Sequence, residues 1–252
     1  MGILDGRVVI VTGAANGVGA AYAKGMAMEG AKVVCADMAD SGPTVNAIAE
    51  AGGEAIAVPV DVTRVDQVTA MAARAIEAFG TIDALVNNAG LFSDLDRRPF
   101  ETIDEAEWDR VMAINVKGLW LCCKAVVPEM RRRNYGKIVN VSSSTVMMGS
   151  PELLHYVTSK GAVVAFTRAL ARELGPHNIA VNTIAPGLTM TDRMLALGDM
   201  IRPRDARNIA TRAIKRSQTP QDLVGTAVFL CSAGSDFMTG QAIVVDGGAA
   251  MY

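Results

Sequence analysis

An apolar strand that runs straight into a glycine turn and then an alanine-rich helix constrains this chain more than any other feature: RVVIVTGAANGVGAAYAKGMAMEG, residues 7–30. The β-branched run stops at Thr12, and Gly13, Gly17 and Gly19 punctuate the turn. Glycine lets a backbone turn tightly and approach a ligand with no Cβ in the way, and the N-terminus of the following helix attracts a pyrophosphate. The spacing G-x3-G-x-G differs from the commoner dinucleotide fingerprint G-x-G-x-x-G, and a glycine turn also serves plain close packing. A second strand, AKVVCAD, ends at Asp37.

An acidic residue at that strand end accepts hydrogen bonds from an adenosine ribose and repels a 2′-phosphate, which favours NAD over NADP. The neighbourhood agrees: Ala14, Ala15 and Asn16 bring no cation, nor do Met38 and Ala39, and Lys24 and Lys32 are the nearest. The plainer role for Asp37 is to cap the next helix near Ser41.

Apolar runs at 7–12, 32–37, 55–60, 82–86, 136–142, 179–184 and 242–246 alternate with amphipathic helical stretches, the pattern of a doubly wound α/β sheet. In such a sheet the loops that bind ligands gather at the carboxyl ends of the strands. Gly13, Asp37, Asp61, Asn87, Ser143 and Pro186 all fall at or just beyond strand ends. With 252 residues, half of them hydrophobic, and no linker or repeat, one domain over 1–252 is expected, with 190–216, poor in start and stop signals, as a substrate lid.

A net charge of −2 offers no basic field for nucleic acid, and Arg131–Arg133 suit a solvated helix C-terminus. Cys35, Cys122, Cys123 and Cys231 lack a C-x-x-C spacing and read as core packing in a reducing compartment. His155 and His177 form no local ligand pair, so no metal is expected. No leader pattern or membrane-spanning apolar run is discerned, and a cytoplasmic location follows.

Tyr156 and Lys160, four apart in HYVTSKGAVVAFTRALARELG, stack on one helical face. A free tyrosine ionises near pH ~10, and a neighbouring ammonium lowers that value, so the pair can move a proton. On its own the spacing equally describes a half-buried ring beside a solvated amine. His155, at the preceding position, faces a quarter-turn away and reads as lining or packing.

Taken in order, TGAANGVG, the NNAG at Asn87–Gly90, Asn115, the serines at 142–144, YVTSK and the Pro186–Gly187 pair resemble the short-chain dehydrogenase/reductase family over essentially the whole chain. Ser143 stands thirteen residues before Tyr156, as in that family. The resemblance implies a single-domain Rossmann fold, a doubly wound seven-stranded parallel sheet flanked by helices, in strand order 3-2-1-4-5-6-7. It also implies a catalytic set of Asn115, Ser143, Tyr156 and Lys160. Ser143 would hold the substrate oxygen, Lys160 would grip the nicotinamide ribose, and Asn115 would anchor a water leading from Lys160. A bending or packing role for Asn115 is the alternative.

The cofactor set implied in the same way is Gly13, Asn16, Gly17, Val18, Gly19, Asp37, Met38, Asp61, Val62, Asn88, Ala89, Gly90, Tyr156, Lys160, Pro186, Gly187, Leu188, Thr189 and Thr191. Asp61 and Val62 fall to the adenine, Asn87 to Gly90 to the adenosine side and Thr191 to the nicotinamide side. Asp61 also suits a turn before Thr63, and the asparagines suit loop bracing.

Thr145, Met148, Leu153, Met190 and Met194 are the expected substrate pocket, methionine being adaptable there. Arg97 and Arg193 could instead meet an anionic group. The resulting expectation is a homotetrameric, NAD-dependent oxidoreductase acting on a small-molecule alcohol or its carbonyl, secondary and apolar or ring-bearing, with Tyr156 as general acid and base. A 3-oxoacyl carrier-protein reductase using Arg133 and Arg172 for docking, and a non-catalytic NAD(H) sensor, are the alternatives.

Overall fold

The computed structural model describes residues 2–251. Seven strands, β1 Val8–Thr12, β2 Lys32–Asp37, β3 Glu54–Pro59, β4 Ala84–Asn87, β5 Gly136–Val141, β6 Ile179–Pro186 and β7 Ala242–Val245, form one sheet. Its order is β3-β2-β1-β4-β5-β6-β7, every pairing parallel. This is the Rossmann-like α/β fold, with the order reversing between β1 and β4.

Side chains alternate across a strand, so neighbours in β1 serve two different cores. Ile10, with Val34, Leu85 and Ile138, packs on the helices α3 (Val65–Phe79), α5 (Leu119–Arg133) and α7 (Leu154–Leu174). Val9 and Val11, with Val33, Val86 and Val139, pack on α1 (Gly17–Met28), α2 (Gly42–Glu50) and α10 (Gln221–Cys231). Continuous apolar strands are what a sheet covered on both faces requires.

The fourth strand begins two residues later than its apolar run, because Asp83 is buried and works as an anchor. Its carboxylate accepts from the Val8 amide at 2.8 Å and pairs with Arg133 at 3.0 Å and Arg7 at 3.4 Å. The stretch expected as a lid is largely helical: α8 Asp192–Leu195, a 3₁₀ turn at Gly198–Met200 and α9 Arg202–Thr211. Its start signals are Thr191, whose hydroxyl accepts from the Met194 amide, and Pro203 in the first turn of α9.

The helix α4 (Glu105–Met112), a π-helical turn at Ala113–Gly118 and α5 run on as one rod, Glu105–Arg133. By length and composition this rod could cross a bilayer, against the expectation that no such run exists. Its apolar residues, Leu121, Cys122, Val126 and Met130 among them, instead fill the core beneath the sheet.

Candidate active site

The carboxyl ends of the strands open onto one cleft of about 1090 Å³. At one end, β1 delivers the chain into the glycine turn. Gly13 sits at φ +69°, and a Cβ there would stand 2.9 Å from Asn88 Nδ2. A Cβ on Gly19 would stand 1.9 Å from the Gly13 carbonyl oxygen, so no other residue fits without opening the turn. Asn16 places no side-chain acceptor on the first amides of α1, which leaves the N-terminus of this twelve-residue helix open to an anion.

Thr12, which the sequence pattern did not single out, organises this corner. Its hydroxyl accepts the Asn88 and Ala89 amides, both at 3.1 Å, and donates to the Val86 carbonyl. Asn88 Nδ2 returns bonds to the carbonyls of Thr12 and Gly13. Loop bracing is thus the side-chain role of Asn88, on the cleft wall. Asn87 is buried away from the cleft, donating to Asn140 Oδ1 at 2.9 Å and contacting Cys123 Sγ, with its own Oδ1 unpaired.

Asp37 closes the turn from the second strand. One carboxylate oxygen accepts the Ala15 amide and the other the Ala39 amide, both at 2.9 Å, and Asp37 forms no ion pair among the described residues. It therefore faces the cleft as an uncompensated carboxylate beside exposed Met38. Asp61 accepts the amide and hydroxyl of Thr63 on one oxygen, the turn role anticipated for it, while still lining the cleft with Val62.

The structure brings Gly13, Asn16, Gly17, Val18, Gly19, Asp37, Met38, Asp61, Val62, Asn88, Ala89 and Gly90 together along one side of this cleft. Pro186, Gly187, Leu188, Thr189 and Thr191 close it from the β6 side. A dinucleotide fits this arrangement: a glycine cradle whose missing Cβ atoms nothing else could replace, an open helix end, and a lone acid at the second strand.

Ser143, Tyr156 and Lys160 meet at the middle of the cleft. Ser142 donates to the Lys160 carbonyl at 2.8 Å and so faces α7. Ser143 accepts from the Thr145 hydroxyl at 2.9 Å and hydrogen-bonds the Tyr156 phenol. Ser144 is buried with an unpaired hydroxyl. Burial pushes the Tyr156 phenol up to about 12, with the Ser143 hydrogen bond and the Arg204 charge pulling the other way.

Lys160 stands beside the Tyr156 ring. Its Nζ donates to the Val141 carbonyl at 2.9 Å and lies 5.8 Å from the Tyr156 ring centroid. Burial draws its own pKa down to about 8.

Asn115 does not reach the cleft. It sits in the π-turn, 1% exposed, bonded to Leu91 and Ser159. Thr145, Met148 and Met194 line the cleft, but Leu153 is buried in the helix entry and Met190 packs beside Leu188 and Ile201. His155 is fully buried, its Nε2 2.8 Å from Glu107. Two further residues stand on the substrate side, in the segment after Gly90 and in the expected lid, though the sequence did not single them out individually. Phe92 packs on Tyr156 with ring centroids 4.9 Å apart, and Arg204 lies over Phe92 at 5.2 Å. Neither sits in a recognisable motif.

The chain matches, over residues 13–250, the family model described as enoyl-(acyl carrier protein) reductase. It is 41% identical over 248 residues to the short-chain reductase protein NovJ of Streptomyces niveus, spanning 96% of this chain and 93% of that protein. It is 38% identical over 254 residues to the galactitol 2-dehydrogenase of Agrobacterium fabrum, spanning 97% and 98%. A crystal structure from Sinorhizobium meliloti 1021, provisionally named a short-chain alcohol dehydrogenase, superposes with TM-score 0.91 at 36% identity over 98% of each chain.

Proposed function

The chain belongs to the short-chain dehydrogenase/reductase family and is an oxidoreductase, and from that premise we propose that it interconverts an alcohol and its carbonyl with NAD, Tyr156 serving as general acid and base. The observation that carries this reading is the convergence of Ser143, Tyr156 and Lys160 beside the glycine cradle in one cleft. A non-catalytic NAD(H) sensor would have no use for that convergence.

The first-turn amides of α1 would hold the pyrophosphate, Asp37 the adenosine ribose, Asp61 and Val62 the adenine edge, and the segment from Pro186 to Thr191 the nicotinamide side. When bound, the nicotinamide supplies the acceptor or donor of hydride. Everything else falls to the chain. Ser143, a neutral hydroxyl able to donate and accept, holds the substrate oxygen as it passes between alcohol and carbonyl. Tyr156 takes the hydroxyl proton in oxidation and returns it in reduction. Lys160, which keeps its charge below about pH 8, holds the floor of the site at Val141 and reaches toward the ribose.

Carrier-protein substrates are the second reading, prompted by the description of the matching family model. Against it, Arg133, one of two cations available to an acidic carrier, is already committed to Asp83 and Thr81. Asp37 argues against the NADPH such an enzyme would use. We also propose a homotetramer, supported by exposed Trp120 on α5 and Leu154 on α7. In the sequence, GAVVAFTRALARELG and the C-terminal DGGAAMY offer contact surfaces, of which Tyr252 lies outside the described residues. A cytoplasmic location is supported by four unpaired, buried cysteines.

The test is a panel of secondary alcohols, polyols, hydroxysteroids and aryl alcohols with NAD+ and NADP+, followed at the reduced-nicotinamide absorbance. Turnover with NAD+ on at least one class supports the reading. Tight NAD binding with no turnover on any class, in either direction, defeats it.

A further inference from the structure

The substrate side of the cleft carries positive charge that its own side chains do not neutralise. Arg204, in the first turn of α9, is half-buried, with its guanidinium carbon 5.2 Å from the Phe92 ring centroid. Phe92 in turn packs on Tyr156 at 4.9 Å, so the guanidinium lies two ring contacts from the phenol. Among the described residues no carboxylate pairs with it. The charges acting on it are those of Arg97 and Arg207, both of its own sign, and that of Tyr156, of opposite sign once the phenol ionises.

Its neighbours differ in this respect. Arg193 is already paired with Asp94, and Arg97 donates to the Pro151 carbonyl at 3.1 Å. Glu152 lines the same rim but is exposed and forms no ion pair among the described residues. Burial lowers the pKa of Arg204, as expected of a cation stripped of water without a counter-ion. A guanidinium held half-dry in the field of two others is unfavourable until an anion arrives, and its planar fork matches a carboxylate through two parallel hydrogen bonds.

We propose that the substrate is a hydroxy acid whose carboxylate docks on Arg204, with Arg97 and Arg207 adding to the field, while its carbinol carbon lies at Tyr156. Phe92, Met148 and Met194 then cover the apolar chain between the two ends. The proposal rests on the alcohol–carbonyl reading above and leaves its chemistry intact. The carbinol C–H gives a hydride to the nicotinamide, the O–H proton goes to Tyr156, and the carboxylate is unchanged.

The experiment uses a ladder of secondary hydroxy acids, from 3-hydroxybutyrate to 7-hydroxyoctanoate, each against its own primary amide. Turnover with NAD+ and calorimetric binding to the NAD-loaded protein are both measured. Some member of the ladder should favour the acid over the amide by ~10- to 100-fold, the worth of a charge-assisted hydrogen bond. Arg204→Gln should collapse that ratio toward one, and Arg204→Lys should restore part of it. Thermal unfolding of both variants verifies that they fold. The acid preference in binding should persist in Tyr156→Phe, whose turnover tests the proposed reaction separately. Amides bound and oxidised as well as acids throughout the ladder, or a preference that survives Arg204→Gln, overturns the proposal even if alcohol oxidation stands.

Discussion

Asn115 satisfies both backbone groups of Leu91: its Oδ1 accepts the Leu91 amide at 2.7 Å and its Nδ2 donates to the Leu91 carbonyl at 3.2 Å. A third bond, 3.0 Å to Ser159 Oγ, ties this to α7, where Ser159 donates to the Tyr156 carbonyl. The side chain thus fixes the loop that carries Gly90 and Phe92 against the helix that carries Tyr156. Asn115→Ala should leave two buried backbone groups unpaired and cost about 2–4 kcal/mol, read from the denaturant midpoint. Turnover should fall more than cofactor affinity. Unchanged stability would show that water or repacking replaces the brace.

Tyr156→Phe keeps the ring against Phe92 and removes only the titrating atom. Oxidation should drop ~10²- to 10⁴-fold in kcat while NAD binding survives. In the wild type, oxidation should rise with pH, because burial holds the phenol up to about 12 and only its ionised form accepts the proton. Ser143 hydrogen-bonds that phenol and lowers its pKa, so Ser143→Ala should both weaken oxidation and move the rise to higher pH. A pH–kcat profile of the variant that coincides with wild type in shape would show that Ser143 does not tune the phenol.

Lys160 offers a stability test with a definite sign. Its folded pKa, about 8, lies below the ordinary 10.5, so the unfolded chain binds more protons between those values. The wild type should therefore gain stability relative to Lys160→Met as pH rises from 8 to 10.5, and lose it again as pH falls. Differential denaturation at pH 7, 9 and 10.5 measures the trend. A flat difference would mean that the amine is solvated in solution.

Asp37 should make NAD(H) better than NADP(H) by at least ~10-fold in kcat/KM, since a 2′-phosphate beside an uncompensated carboxylate is repelled. Asp37→Asn retains an acceptor for the glycine turn and removes the charge. The preference should narrow, chiefly through KM for NADP(H). Equal efficiencies with both cofactors in the wild type would remove Asp37 from the cofactor role.

Much of the architecture was open to a reader of the sequence. The strand runs fall within two residues of the observed strands, and the glycine turn, Asp37, Ser143 and Pro186 stand at carboxyl ends because strand ends and turn residues are written in adjacent positions. Helical spacing likewise puts Tyr156 and Lys160 together, and the Ser142 hydroxyl is committed to the Lys160 carbonyl. What spacing cannot carry is contact between segments brought together by crossovers. Phe92 reaches Tyr156 from the loop after β4, and Arg204 arrives over it from α9, through packing that neither local segment encodes. Leu153 and Met190, apolar and near the site in sequence, are drawn inward because burying them costs no polar partner, whereas the buried Asn115 must meet Leu91 and Ser159. Local periodicity thus determined the elements and the edge at which they meet. Only tertiary packing decided that the Arg204 guanidinium, paired with no carboxylate among the described residues, bears on the phenol, because desolvation and Coulomb fields depend on distances in space and not along the chain.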